Sequence, residues 1–161
     1  MTENKVAPDG PPGMVLRQMA LTTPAGELGF SSDSDFPRVY GVLMDWYIGE
    51  ATATVMSMRD GTASLYTTST FGIIGGHGHE AVRQAAARYV KLAARYVDSS
   101  KVVTEFPYPE SGKVYYYLLM YDGVRLCVGD KSEIERGSDP TRPLFAAAQD
   151  VLTELRLITE R

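Results

Sequence analysis

Three stretches in the first half of the chain have the residue pattern of strands. Residues 38–47 are dense in β-branched and aromatic residues. Residues 51–58 alternate between two faces, and Asp60 and Gly61 follow them as a dipeptide that favours a tight hairpin. The chain then returns through residues 62–68. Because these connections are local, the pattern predicts an antiparallel three-strand meander.

Two later segments carry apolar residues at helical spacing. The first covers residues 80–97, and the second begins near Thr141 with Pro143 in its first turn. The period places Tyr89 toward the core and Arg88 toward solvent. The predicted buried stripes are Val82, Ala85, Ala86, Tyr89, Leu92, Ala93, Tyr96 and Val97 in the first helix, and Leu144, Ala148, Val151, Leu152 and Leu155 in the second.

Residues 113–121 are apolar on both alternating faces, as expected of a central strand that is covered on two sides. Asp122 and Gly123 then turn the chain into residues 124–128, which completes a hairpin. The sequence therefore predicts an α+β fold with an antiparallel sheet of about five strands, in the order three-strand meander, helix, hairpin, helix.

The beginning of the chain has a different composition. Residues 1–13 are rich in Pro and Gly and show no periodicity, so we expect a disordered tail followed by a single α+β domain over residues 14–161. Residues 14–21 are apolar, but the segment is too short for its period to distinguish a helix from a strand. Residues 22–37 have the composition of a surface loop.

The two apolar faces of residues 113–121 raise the question of what covers each face. If both predicted helices lie on one face, the opposite face is bare and exceeds what soluble monomers usually expose. A homodimer would bury that face, and two-fold pairing is the commonest arrangement of identical subunits. Alternatively, residues 14–21 fold back over the face as an intramolecular cover.

Charge and cysteine content narrow the functional classes. A net charge of −4 and a pI near 5.2 supply no positive field for nucleic acid or an anionic membrane, so we expect neither as a partner. The sequence shows neither a secretory pattern nor a membrane-spanning apolar run, which favours a cytoplasmic location. Cys127 is the single cysteine, so an intramolecular disulfide and a multi-cysteine metal site are excluded. It is expected to act as a small apolar side chain.

The most unusual segment is the glycine-rich loop of residues 71–79, which runs directly into the first helix. Backbone N–H groups at a helix start can bind a phosphate or carboxylate, so a small anion is a candidate ligand. The spacing matches neither the P-loop nor the dinucleotide-binding motif, and the alternative is that the glycines only turn the chain within little space. The candidate ligand-binding residues are Gly75, Gly76, His77, Gly78 and His79.

The sequence nominates no catalytic residue, metal or cofactor. His77 and His79 are the only histidines, and no further metal ligand stands at a diagnostic spacing. The serines lie in no Gly-x-Ser-x-Gly motif, so a serine hydrolase is not indicated.

The predicted layout of sheet and helices resembles, in architecture, the roadblock, longin and profilin-like modules. That resemblance implies a small dimerising or partner-binding domain, often regulatory. We therefore expect a non-enzymatic protein-interaction or regulatory module that self-associates. The alternative is a small-ligand-binding or enzymatic domain that uses loop 72–79 at the start of the helix. A third possibility is a structural subunit whose partner covers one sheet face.

Overall fold

The computed structural model describes residues 12–68, 72–75 and 78–159, with the side chains of residues 72–75 and 159 excepted. This part of the chain forms an α+β fold in which four α-helices surround one antiparallel sheet. The strands are β1 (Val39–Ile48), β2 (Ala51–Met58), β3 (Ala63–Thr67), β4 (Gly72–Gly75), β5 (Lys101–Val103), β6 (Lys113–Met120) and β7 (Gly123–Asp130). The α-helices are α1 (Pro12–Thr22), α2 (Glu80–Ala93), α3 (Lys131–Arg136) and α4 (Arg142–Thr159), with 3-10 helices at Ala25–Leu28 and Ala94–Ser99.

The sheet has the strand order β4-β3-β2-β1-β6-β7-β5. The α+β class, the meander β1–β2–β3 and the hairpin β6–β7 are confirmed by their antiparallel registers. The sheet has seven described strands rather than about five, because β4 and β5 add one strand at each end. Both were missed because four and three residues are too few to show a period of two. The roadblock or profilin-like layout stays an interpretation.

Helices α2 and α4 cover one face of the sheet. Tyr89 is fully buried between α2 and the sheet, whereas Arg88 is exposed, which confirms the predicted helical phase. All five predicted residues of α4 are buried. Leu92 and Tyr96 are only partly buried, and helix α2 ends at Ala93, four residues before the predicted end. The chain tightens there into a 3-10 helix, which changes the direction of the side chains that follow.

Helix α1 covers the opposite face, together with side chains from residues 22–30 and from the loop 104–112. On the side of α1 that faces the sheet, Leu16, Ala20 and Leu21 pack against a cluster that includes the fully buried Tyr117 and Leu119 of β6. Of the two alternatives for this face, the structure has the intramolecular cover, because residues 14–21 lie within α1. The predicted disordered tail of residues 1–13 is wrong for its last two residues, because α1 already begins at Pro12, and residues 1–11 lie outside the described residues.

Close backbone contact holds the beginning of α1 against the sheet. A Cβ atom added to Gly13 would lie 2.1 Å from the carbonyl oxygen of Thr67 at the end of β3. Only glycine permits this approach, because no side chain can share that space. Gly13 therefore fixes where the covering helix crosses the sheet.

The segment between α1 and β1 is held to the same face by Arg59. Its guanidinium donates to the carbonyl oxygen of Ser31 at 2.6 Å and to the hydroxyl of Tyr121 at 2.8 Å. It also forms an ion pair with Asp33. These contacts fix Ser31 and Asp33 beside the end of β2. Among the described helices, none has the length and apolar character needed to cross a bilayer.

Candidate functional site

A buried ion pair lies where α1 meets the centre of the sheet. Arg17 of α1 donates from Nε and Nη2 to Oδ2 of Asp45 on β1, at 3.0 and 2.7 Å. The other oxygen, Oδ1, accepts a hydrogen bond from the hydroxyl of Thr54 on β2. Both carboxylate oxygens are thus satisfied, and both charged side chains are almost completely buried. We call this arrangement the Arg17 clasp.

The guanidinium of the clasp also binds the loop of residues 104–112. Its Nη2 donates to the carbonyl oxygens of Phe106 and Pro107 at 2.9 and 3.2 Å. The cation lies 4.0 Å from the ring centroid of Tyr108 and 5.5 Å from that of Tyr117. Arg17 therefore joins α1, the central strand and this loop through one side chain.

Burial governs the electrostatics of the clasp. Desolvation raises the pKa of Asp45 above that of an exposed aspartate, although Arg17 and Thr54 act in the opposite direction. Desolvation works to lower the pKa of Arg17, but the attraction of Asp45 outweighs it and the pKa is raised. With every polar atom of the carboxylate engaged, the pair is a structural anchor rather than a centre for chemistry.

A half-open groove lies between α1 and the strands β2 and β3. It encloses about 260 Å³. Three methionines and two aromatic residues contribute to its lining. We call it the α1 groove, and its lining residues are Leu16, Met19, Ala20, Thr23, Leu28, Phe30, Met56, Met58, Asp60, Thr62 and Tyr66.

Two large apolar side chains are exposed at the rim of the α1 groove. Met19 is 55% exposed on α1, and Leu28 is 40% exposed on the following 3-10 helix. Two titratable groups line the groove. Asp60 accepts a hydrogen bond from the backbone of Thr62 at 3.0 Å, and burial raises the pKa of Tyr66. Asp60 and Tyr66 are not the nucleophile and base of a catalytic pair, and most of the groove lining is apolar.

The size of the groove indicates what fits. Binding sites for drug-sized molecules enclose roughly 300 to 1,000 Å³. The α1 groove, at about 260 Å³, lies just below that range and has room for one or two apolar side chains. Methionine side chains adapt to different shapes and are frequent at surfaces that bind proteins. The groove therefore suits an apolar anchor residue presented by another polypeptide.

The glycine-rich loop is only partly within the described residues. Gly75 ends β4, Gly78 is an exposed turn residue, and His79 precedes the first residue of α2. The His79 side chain is exposed and makes no capping hydrogen bond. Gly76 and His77 lie outside the described residues, so the five candidate ligand-binding residues stay a prediction.

The start of α2 already carries a negative charge. The carboxylate of Glu80 accepts a hydrogen bond from Gln84 at 2.8 Å and pairs with Arg83, and these contacts lower its pKa. An exposed carboxylate at a helix start competes with an external anion for the same positive dipole end. This arrangement weakens the interpretation of the loop as an anion site.

Other groups that can bind metals or react are dispersed or buried. Within residues 12–68, 72–75 and 78–159, no three His, Cys, Asp or Glu side chains come together as a metal site would require. Cys127 is buried in β7, and desolvation raises the pKa of its thiol, which disfavours the reactive thiolate. The buried hydroxyls of Ser57 and Tyr89 have no hydrogen-bond partner in the described structure.

No family model, no curated protein and no solved structure with which the chain was compared matches it. The function is therefore inferred from the geometry of the molecule alone. Sequence reasoning had selected neither Arg17 nor the α1 groove. The available signal was Asp45, which is a charged residue inside the apolar strand of residues 38–47.

Proposed function

We propose that this protein is a non-enzymatic protein-interaction module with a regulatory role in the cytoplasm, that it binds an apolar side chain of a partner protein in the α1 groove, and that it self-associates. The observation that supports the binding role is the methionine-lined groove with Met19 and Leu28 exposed on its rim. A large exposed apolar residue is unremarkable when it stands alone, but two beside a concave apolar surface mark an interaction site.

The size and chemistry of the groove favour a side chain of a partner protein over a free metabolite. Protein interfaces are dominated by a few anchors that fill desolvated pockets, and the remaining contacts exclude water. A groove beside a helix suits the apolar residues that one side of a partner helix presents. Asp60 and Thr62 at the edge of the groove would face the polar rim of such an interface.

The rival function is the binding or conversion of a small ligand at loop 72–79. It rests on the exposed His79 at the start of α2. A thermal-shift screen with nucleotides, phosphosugars, carboxylates and divalent metals tests it, because a ligand that binds only the folded state raises the melting temperature. A rise that His79→Ala abolishes would favour the rival function.

The main experiment compares binding by matched variants. The full chain is used to capture proteins from its native cytoplasm, and each captured protein is purified and its affinity measured by calorimetry. We expect Met19→Lys to weaken a specific partner at least tenfold, because a charge would enter the apolar rim. Leu157→Lys is the control, since Leu157 is also an exposed apolar residue but lies on α4, away from the groove.

The affinities decide between the outcomes. Equal weakening by Met19→Lys and Leu157→Lys would show that capture depends on general surface hydrophobicity rather than on the α1 groove. A partner whose affinity neither change affects would show that binding uses another surface.

A further inference from the structure

The methionines that line the α1 groove differ widely in exposure. Met19 of α1 is 55% exposed, whereas Met56 and Met58 of β2 are 5% and 6% exposed. The other methionines within residues 12–68, 72–75 and 78–159 are half-buried or buried, namely Met14, Met44 and Met120. In this part of the chain, Met19 is therefore the methionine that a dissolved oxidant reaches most easily.

A methionine thioether reacts with a peroxide without the help of a neighbouring base. A lone pair of the sulfur attacks one oxygen of hydrogen peroxide, the O–O bond breaks as the S–O bond forms, and the other oxygen leaves as water with both protons. The sulfur loses two electrons and becomes a sulfoxide. A thiol-dependent sulfoxide reductase reverses the step, in which two thiols are oxidised to a disulfide and the oxygen is released as water.

Oxidation of Met19 would make the rim of the α1 groove polar. The sulfoxide oxygen is a hydrogen-bond acceptor, and water can bind it while Met19 is exposed. An apolar side chain that fills the groove removes this water and offers no donor in return. Burial of an acceptor without a donor opposes binding, so the sulfoxide should weaken the complex.

The other sulfur atoms near or within the fold are shielded from the same reaction. The hydroxyl of Tyr66 donates to Sδ of Met56 at 3.9 Å inside the groove. Cys127 is buried, and desolvation raises the pKa of its thiol, which disfavours the thiolate that peroxides attack. Exposure therefore singles out Met19 rather than the groove as a whole.

We propose that Met19 is a reversible oxidation site that regulates the α1 groove, so that the thioether form accepts an apolar side chain and the sulfoxide form rejects it. This inference rests on the binding role proposed above for the groove, and it names the regulation of that role. Because the Met19 side chain is exposed, its sulfoxide is hydrated in the free protein and the fold tolerates it.

Peptide mass mapping of the folded full chain during treatment with hydrogen peroxide tests the site. Met19 should be oxidised at least about tenfold faster than Met56 and Met58, because oxidation follows exposure. In about 6 M guanidinium chloride the three rates should become similar, since unfolding exposes every sulfur. After treatment in buffer, the melting temperature should stay within about 2 °C of that of the untreated chain.

A small apolar probe tests the regulation. The probe is N-acetyl-phenylalanine amide, and its dissociation constant is measured from the methyl NMR signals of Met56 and Met58. For a molecule of this size we expect a constant in the millimolar range. Oxidation of Met19 should raise the constant at least about threefold, and treatment with the reductase and a thiol should restore it.

Met19→Leu is the matched control, and it is compared with itself before and after peroxide treatment. It lacks the oxidisable sulfur at the rim but keeps Met14 and Cys127. Its dissociation constant for the probe should therefore be the same before and after treatment.

The outcomes separate this inference from the proposed function. Equal oxidation rates of Met19, Met56 and Met58 in the folded chain overturn the oxidation site, while probe binding by the untreated chain still supports the groove. Selective oxidation overturns the regulation if the dissociation constant is unchanged, if Met19→Leu changes equally, or if the melting temperature falls by more than about 2 °C. Failure of the probe to bind the untreated chain overturns the binding role of the groove and the regulation with it.

Discussion

Replacing Arg17 by methionine removes the cation of the clasp but keeps an unbranched side chain that can fill much of the same space. Asp45, with 0% exposure, would then be an unpaired buried charge. Breaking a buried ion pair in this way costs about 3 to 5 kcal/mol. The carbonyl groups of Phe106 and Pro107 also lose a donor, but these hydrogen bonds are only part-buried, so water can replace much of that loss. The free energy of unfolding of a single domain is only about 5 to 15 kcal/mol, so we expect the urea concentration at the unfolding midpoint to fall substantially.

The loss of stability caused by Arg17→Met should become smaller as the pH falls. Burial already holds the pKa of Asp45 above its value in the unfolded chain, and removing Arg17 raises that pKa further. The folded variant therefore binds a proton at a higher pH than the unfolded variant does. Between the pKa of Asp45 in the folded variant and its pKa in the folded original chain, each unit of acidification should recover about 1.4 kcal/mol of the lost stability relative to the original chain. Urea titrations at about pH 7.5 and about pH 5 measure the recovery.

Asp45→Asn provides the matched comparison. It keeps the shape of the side chain and an acceptor for Thr54, but it leaves Arg17 as the unpaired charge and removes the titrating group. Its cost should be similar at pH 7.5 and should not be recovered at the lower pH. Arg17→Met/Asp45→Asn should cost less than the sum of the two single changes. Single costs below about 1 kcal/mol, or a pH-independent cost of Arg17→Met, would refute the view that the clasp is a buried ion pair.

Three further predictions concern side chains whose surroundings are well defined. In denaturant titrations, Tyr89→Ala should lower the free energy of unfolding by about 3 to 5 kcal/mol, and Arg88→Ala should lower it by no more than about 0.5 kcal/mol. Tyr89→Phe should be neutral or stabilising, because it removes a buried hydroxyl that has no hydrogen-bond partner in the described structure. A loss above about 1 kcal/mol on Tyr89→Phe would mean that the hydroxyl forms a hydrogen bond. Gly13→Ala should destabilise the folded protein by more than about 1 kcal/mol, despite the better helix propensity of alanine. Gly26→Ala should not destabilise it, because a Cβ atom at Gly26 meets no atom within 4 Å. Equal effects of the two changes would contradict the close approach of α1 to β3. Asp130 caps α3, and its hydrogen bonds with Ser132 and Glu133 lower its pKa to about 2, so its contribution is present above the unfolded pKa and is lost as the pH falls toward 2. The melting temperature of Asp130→Asn should accordingly approach that of the original chain over this range, and a constant difference would show that Asp130 acts through its shape alone.

Much of the sheet and two of its helices were predictable because their signals are local. The alternation in residues 51–58 and the apolar stripe of α4 each span enough residues to define a period. The bounds of β2 were predicted to the residue. The hairpin β6–β7 was predicted as well, although its turn is Tyr121 and Asp122 rather than Asp122 and Gly123, because Gly123 pairs with Met120. Strands β4 and β5 were not predicted, because short strands depend on neighbours that are distant in sequence.

The clasp and the groove could not be predicted, since they depend on contacts between distant parts of the chain. Arg17 lies in a short apolar segment, where a basic residue is normally expected to face solvent. Its acceptors on Asp45 and Phe106 stand 28 and 89 positions away in sequence. No local pattern indicates such a pairing. Asp45 was visible as a charge in an apolar strand, but its partner could have come from any element that covers that face.

The position of α1 in the chain has a consequence for folding. The helix is synthesised before every other described element, but the face that it covers is completed only when β6 has been made. Its bond to the carbonyl oxygen of Phe106 closes a loop of 89 residues. Contacts of such high sequence separation form slowly, because the entropy of loop closure is lost before they contribute stability. During that interval the aromatic face of β6 is open to neighbouring chains, so the yield of refolding should fall as the protein concentration rises.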